Sequence, residues 1–460
     1  MTEFKPSQTT VQHWAARDLQ HVWHPCTQMK DHEWLPMISI QKAQGVWLYD
    51  HDGRRYLDAI SSWWVNTLGH ANPEINAALS QQAEQLPHII MAGFTHEPAV
   101  QLAEALVQIT PAPLQRCFFA DNGSAAVEVA LKMSFHYWLN QTSDQVPRKT
   151  KFIALANSYH GETLGALSVG DVELYKQTYQ PLLMQPIIAP SPDSYQSEPG
   201  ETAEAFAIRQ FAGMETLLEQ HAHETCAVIL EPLVQCAGSM RMYHPTYLKL
   251  LREACDRHDV HLIADEIAVG FGRTGRLFAC EHADISPDFL LLSKGLTAGY
   301  LPLAVVMTTE SVYAAFYTDY EQLQAFLHSH SYTGNALACR VALTSLQILQ
   351  RDHYIERNQQ TARLMGDAVA ELHDHPKVAD IRQQGMILAI ELTPDGSRQS
   401  HYLWQQRRGL RVYQYGLQHE ALLRPLGNVV YFMPPYVISP DEIKQMAKVA
   451  IDGIHHATLD

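Results

Sequence analysis

Long apolar runs are missing from this chain of 460 residues: none approaches the roughly 20 residues that a membrane-spanning helix needs. The opening MTEFKPSQTT has neither the positive segment nor the apolar stretch of a secretory signal, so a cytoplasmic location is expected. Positive charge is scarce. The 33 Lys and Arg against 49 Asp and Glu leave a formal charge of −16, and no basic cluster offsets it. That balance argues against nucleic acid or an anionic membrane surface as a partner. Seven cysteines (Cys26, Cys117, Cys226, Cys236, Cys255, Cys280 and Cys339) include no C-x-x-C pair, and their number is odd. Reduced thiols fit this better than disulfides or a zinc knuckle. The 25 histidines contain no H-E-x-x-H. His221/His223 and His328/His330 share a face only on a strand, and a zinc site would still need further convergent ligands. Asn122-Gly123-Ser124 matches a glycosylation sequon that a cytoplasmic chain never uses.

What is present reads as an ordinary globular chain, 46% apolar and 18% charged, long enough for about two domains. Its middle alternates short apolar runs with helical patterns. Cys117–Ala120 reads as a strand, followed by Asp121-Asn122-Gly123-Ser124 and a helix with Val127, Leu131, Phe135 and Trp138 on one face. Lys151–Leu155, Ala227–Leu230, His261–Ala264, Phe289–Leu292 and Leu303–Met307 read as further strands. Strand, loop and helix in repetition imply an α/β fold with a mainly parallel sheet covered on both faces. Ligands of such sheets bind at the carboxyl ends of the strands. Tyr49 to Arg54 reads as a hairpin turn, and 190–203 as a long surface loop. The expected division is a large domain over 71–350 and a smaller α+β domain built from both ends, 1–70 and 351–460.

Two strand ends carry chemistry. Lys294 follows Phe289–Leu292 and Ser293. Asp265 and Glu266 end the run from His261. A lysine can condense with an aldehyde, and a carboxylate can hold the proton on a pyridine nitrogen. These are two anchors of a pyridoxal phosphate site. Either run alone also fits a strand ending in an ordinary polar turn. Gly123-Ser124 opens a helix straight after a strand, where free N–H groups and the positive dipole end suit a phosphate. The plainer reading is a helix cap by Ser124. Tyr159-His160-Gly161-Glu162 follows another strand, so Tyr159 could lie over a cofactor ring or be a partly buried loop tyrosine.

Taken in order, these four pieces are far more specific than any one. LIADEIAVGFGRTG (262–275), Ser293-Lys294-Gly295 and Tyr332-Thr333-Gly334-Asn335 resemble the class III, or ω-amino-acid, aminotransferases over nearly the whole chain. The resemblance implies fold-type I, pyridoxal phosphate as cofactor, and a homodimer with shared active sites. It implies Lys294, Asp265 and Tyr159 as catalytic residues. Gly123, Ser124, His160 and Glu231 would hold the cofactor, and His330 and Ser331 would reach the cofactor phosphate of the neighbouring subunit.

Narrower motifs resemble a branch that aminates a keto acid in biotin synthesis. They are His21-Val22-Trp23-His24-Pro25, Ser61-Ser62-Trp63-Trp64, Arg273 to His282, and Arg424-Pro425 through Met433-Pro434-Pro435-Tyr436. The resemblance implies Trp63 and Trp64 as an apolar substrate wall. It implies Arg424 as a bidentate anchor for the keto-acid carboxylate, with Tyr431, Arg273, Ser329, Tyr159 and Lys294 also near substrate. Without the resemblance, the tryptophans read as core and Arg424 as an ion-pair partner. Cys26 stands where relatives usually have a substrate-contacting tyrosine, and a thiol cannot donate as a phenol does. Glu162 stands where many have aspartate, and either carboxylate could serve. Ser329-His330-Ser331 departs from the commoner Gly-Pro-Thr and is closer to relatives that use lysine. The tandem tryptophans favour S-adenosylmethionine as amino donor, with lysine the alternative. Rival readings are another ω-amine or ornithine-type transaminase, a non-catalytic pyridoxal-binding regulator, and a histidine-rich metal binder.

Overall fold

Short segments rich in apolar and aromatic residues, broken at Gly45 and at Asp52-Gly53, build a small antiparallel unit after residue 39. It comprises β1 (Ile40–Gln44), β2 (Trp47–Asp50) and β3 (Arg55–Asp58). The turn between β2 and β3 works because Gly53 takes φ +81° and Asp50 Oδ1 accepts from the N–H groups of Asp52 and Arg54 at 2.9 and 2.8 Å. A computed structural model describes residues 12–142, 144 and 146–459 of the chain. The opening residues 1–11 lie outside the described set.

The apolar runs of the middle become β4 (Leu114–Ala120), β5 (Lys151–Leu155), β6 (Ile187–Ala189) and β7 (Thr225–Leu230). A short ribbon follows, β8 (Val234–Gln235) and β9 (Arg241–Met242), then β10 (His261–Asp265), β11 (Phe289–Leu292) and β12 (Ala304–Thr309). Seven of them form one sheet in the order β4-β12-β11-β10-β7-β5-β6. β12 runs antiparallel to both neighbours, and the other adjacent pairs are parallel. β7, β10 and β11 are buried throughout, as the near-continuous apolar sequence of a doubly covered sheet requires. Ile263, Leu291 and Val306 point to the helix Gly123–Asn140, packing with Val127 and Ala130. Leu290, Leu292 and Val305 point the other way, into a core shared with helices Glu97–Ile109 and Ala336–Arg351.

After these helices come β13 (Val378–Gln384), β14 (Ile387–Leu392), β15 (Ala421–Leu422) and β16 (Val429–Phe432). β14 lies between β13 and β16. β15 pairs in parallel with β3, Ala421 opposite Leu57, so segments 364 positions apart in sequence share one sheet. Trp47 Nε1 donates to Glu442 Oε1 at 2.7 Å, tying the first hairpin to the capping box that starts the helix Pro440–Ala457.

One expectation needs correction. The stretch 190–203 is not a surface loop throughout, because Ser191, Pro192 and Asp193 are buried. The Ser191 hydroxyl donates to Gln235 Oε1 at 2.7 Å, and Asp193 faces Arg241 at 3.5 Å. Polar composition predicts exposure only while the polar groups lack partners, and the β8–β9 ribbon supplies them.

Candidate active site

Each chemical group singled out in the middle of the chain lies at or just past the carboxyl end of a strand of the seven-stranded sheet. Asp121 to Ser124 follow β4, Tyr159 and His160 follow β5, and Glu231 follows β7. Asp265 ends β10, and Lys294 follows β11. All of these border one cavity of about 460 Å³. The parallel sheet brings them together although they span more than 170 positions of sequence, roughly the extent of a domain of ordinary size.

At the helix start, Asn122 rather than Ser124 is the cap: its side chain accepts from Ala125 N–H at 3.0 Å. Ser124 Oγ instead accepts from Glu162 N–H at 3.1 Å. The first intrahelical bond runs from Ala126 N–H to Asn122 O, so the N–H groups of Gly123 and Ser124 precede it, beside the cavity. Gly123 is closely packed, since a Cβ would meet Ile267 Cγ2 at 3.0 Å and press on that side chain. Ile267, which sequence patterning did not single out, thereby forms part of the floor.

Asp265 is held from both sides. Its Oδ2 lies 2.7 Å from His160 Nδ1, and its Oδ1 accepts from Ile267 N–H at 3.1 Å. The His160 side chain is fully buried, and its Nε2 has no protein partner. Glu231 accepts from the N–H groups of Tyr159 and Cys236, both at 3.0 Å, and burial lifts its carboxyl to about 7. Lys294 takes a left-handed φ of +43°, with its ammonium 4.6 Å from the centre of the Trp64 ring. Burial pushes the Lys294 pKa down, against the upward pull of Cys236, Asp265 and Glu231. At the mouth, the Tyr159 hydroxyl donates to Glu162 Oε1 at 3.0 Å, and its ring meets Tyr175 edge-on.

A profile described as "Aminotransferase class-III" matches residues 28–455. The chain belongs to the class III aminotransferases. A Helicobacter pylori protein named adenosylmethionine-8-amino-7-oxononanoate aminotransferase is 45% identical, covering 94% of this chain and 95% of its own length. The crystal structure of the Methanocaldococcus jannaschii protein of the same name superposes with a TM-score of 0.91 at 35% identity, covering 97% of this chain and 99% of that one. An omega transaminase from Pseudomonas jessenii, solved in complex with PMP, also reaches 0.91, at 28% identity over 97% of this chain and 98% of its own.

Class III aminotransferases work with pyridoxal phosphate, and the cavity fits that group. It offers helix-start N–H groups for a phosphate, a carboxylate braced by a buried histidine for a ring nitrogen, and a buried lysine for an aldehyde. Gly161 leaves the space above Ser124 open, because a Cβ there would strike Ser124 Oγ at 2.0 Å.

The residues expected at the substrate are placed unequally. Trp64 is buried and lines the cavity, while Trp63 is half-exposed and has the Arg424 guanidinium 4.8 Å from its ring centre. Arg424 is exposed and borders a second cavity, of about 840 Å³, with Tyr413 and His24. Cys26 is exposed, with its thiol 3.9 Å from Glu162 Oε1. Partial burial, then Glu162, raises the pKa of that thiol. Tyr431 is buried behind Trp64 and accepts from its Nε1 at 3.0 Å, so it touches the wall rather than the cavity. Arg273 is buried. It is 1% exposed and donates to the carbonyls of Asn66 (3.0 Å) and Pro434 (2.7 Å), ties that hold it inside the protein behind the cavity lining. Ser329, His330 and Ser331 lie apart from this cavity. Ser331 O is 2.6 Å from His88 Nε2, and both ring nitrogens of His330 are buried without a protein partner.

Proposed function

We propose that the chain moves an amino group from S-adenosylmethionine to 8-amino-7-oxononanoate, giving 7,8-diaminononanoate for biotin synthesis. The observation that carries this reading is a pair of contacts made by neighbouring tryptophans: the Lys294 ammonium lies 4.6 Å from the Trp64 ring centre, and the Arg424 guanidinium 4.8 Å from that of Trp63. An apolar wall ending in a planar cation suits a long apolar chain that ends in a carboxylate. The names of the Helicobacter pylori and Methanocaldococcus jannaschii relatives support the same substrates.

Bound pyridoxal phosphate supplies the aldehyde that takes the amino group and an electron sink for the substrate carbon. The protein groups have separable tasks. Gly123 and Ser124 N–H groups would hold the phosphate, and Tyr159 would cover the ring. Asp265, oriented by His160, would keep the proton on the ring nitrogen, while Glu231 fixes the Tyr159 backbone. Lys294 Nζ, its ammonium form disfavoured by burial, takes and returns the proton of the carbon bearing the amino group. Arg424 binds the keto-acid carboxylate in a bidentate pair.

The proposal includes a homodimer in which Ser329, His330 and Ser331 reach the cofactor phosphate of the other subunit. Exposed apolar side chains at Ile90, Phe94, Leu327 and Tyr332, together with the unpartnered His330 ring, support it. The β3–β15 pairing supports a smaller unit built from both chain ends beside a cofactor-holding unit over 71–350. Seven free thiols support a cytoplasmic location. Mixing the loaded enzyme separately with S-adenosylmethionine and with lysine tests the donor. S-adenosylmethionine alone is expected to discharge the visible band of the bound cofactor. Discharge by lysine alone would replace the donor assignment.

A further inference from the structure

The tryptophan wall stands on an unusual piece of backbone. Ser61, Ser62, Trp63 and Trp64 have φ values of +51°, +47°, +74° and +73°. Trp64 N–H donates to Ile60 O at 2.8 Å, and Val65 N–H to Ser61 O at 3.0 Å. This is one turn of left-handed helix made without glycine, a conformation that side chains with a Cβ disfavour at every position. Something outside the turn must hold it.

Asp58 makes the closest hold. Its side chain is fully buried and contacts neither cavity. Oδ1 accepts from Ser62 N–H at 2.9 Å. Oδ2 accepts from the Ser62 hydroxyl at 2.7 Å and lies 2.9 Å from His70 Nε2. Further ties surround this one. The Ser61 hydroxyl donates to Met433 O at 2.7 Å, and Arg273 bridges from Asn66 O to Pro434 O. The handedness has a consequence at the site. It aims Trp64 at Lys294 while Trp63 lies against Arg424. A right-handed or extended segment would send adjacent side chains in other directions and could not keep both contacts.

We propose that Asp58 is a positioning residue for substrate selection: it holds the turn Ser61–Trp64 left-handed, and that handedness presents the two tryptophans as the substrate wall. The inference rests on the reading of Trp63 and Trp64 as that wall. Asp58 touches no substrate, so its removal acts through the tryptophans.

The test compares the loaded enzyme, Asp58→Ala, and Asp58→Ala combined with Ser62→Gly. Glycine takes a left-handed φ without steric cost, so it replaces the hold that the carboxylate provides. Asp58→Ala is expected to raise KM for 8-amino-7-oxononanoate about tenfold, equivalent to about 1.4 kcal/mol, while kcat changes less than about threefold. The visible band of the bound cofactor stays. The double variant is expected to return KM to within about threefold of the parent, a recovery that a general packing defect would not show. An unchanged KM in Asp58→Ala overturns the proposal, as does a folded double variant with a KM no better than the single. If Asp58→Ala does not fold, a folded double variant with near-parental KM supports the proposal. A double variant that also fails to fold overturns it. Near-ultraviolet circular dichroism of the tryptophans follows loss and recovery without substrate. If the parent does not turn over 8-amino-7-oxononanoate, the functional reading fails while the dichroism still decides the role of Asp58.

Discussion

Replacing Gly161 with alanine probes the phosphate cradle directly. The new Cβ would lie 2.0 Å from Ser124 Oγ, 2.8 Å from its Cβ and 3.0 Å from its Cα. Rotating the hydroxyl relieves only the first contact. The other two force the start of the helix Gly123–Asn140 and the 159–162 loop apart. The native φ of +123° adds backbone strain of about 1–3 kcal/mol for a non-glycine residue. Separation also breaks the bond from Glu162 N–H to Ser124 Oγ, worth about 1 kcal/mol. Strain burdens the empty and loaded protein alike, so affinity feels mainly the misaimed N–H groups of Gly123 and Ser124. Hydrogen bonds to a charged partner are worth about 1.5–3 kcal/mol each, so a loss of roughly 3 kcal/mol is expected, about 10²-fold in cofactor affinity. Titrating cofactor-free protein with pyridoxal phosphate and reading the visible band measures it, with far-ultraviolet circular dichroism to verify folding. A folded Gly161→Ala variant that binds within about threefold of the parent would refute the cradle assignment.

Lys294→Ala should abolish the visible band of the lysine-bound cofactor and lower turnover by at least about 10³-fold. Full activity in that variant would end the mechanistic assignment. Arg424→Ala should raise KM for the keto acid by roughly 10- to 100-fold with kcat nearly unchanged, the pattern for a lost ground-state anchor. An effect confined to the donor half-reaction would show that Arg424 serves the other substrate. Glu266 gives a pH prediction. It is fully buried, and burial lifts its carboxyl from 4.5 to about 7 although the N–H groups of Cys280 and Ala279 pull it down. Between those values the folded state keeps a proton that the unfolded state has released, so stability falls as pH rises through the window. A shift of this size corresponds to up to about 3 kcal/mol. Glu266→Gln should flatten that slope in denaturant titrations between about pH 5 and pH 8, and a slope equal to the parent's would exclude Glu266 as its source.

The sheet is legible in the sequence because its signals are local. Runs such as Phe289–Leu292 and His261–Ala264 bury both faces, and a polar residue at the end of each marks where a ligand can approach. Asp265 and Lys294 can be placed at one rim on that basis alone. Asn122 shows the limit of this reasoning. Either Asn122 or Ser124 satisfies the composition of a helix cap, and only the Glu162 N–H, 38 positions away, decides between them. The stretch 190–203 fails similarly, since its partners come from the β8–β9 ribbon.

The substrate side depends on contacts that no window of sequence contains. Trp64 meets Tyr431 across 367 positions, and Arg273 reaches Asn66 across 207. Nothing local marks the left-handed turn, because the usual sign of positive φ is glycine or asparagine, and Ser-Ser-Trp-Trp has neither. The burial of Arg273 is unmarked for the same reason: a lone arginine in a glycine-rich loop gives no hint that three backbone carbonyls converge on it. The division has a physical basis. The groups assigned to cofactor chemistry are set at strand ends, where the chain's own periodicity fixes position. The groups assigned to choosing a substrate sit on backbone held by distant carbonyls and one buried carboxylate. Substitutions at Asp58, Ser61 or Tyr431 should therefore change which amine acceptor is used before they change whether the cofactor binds.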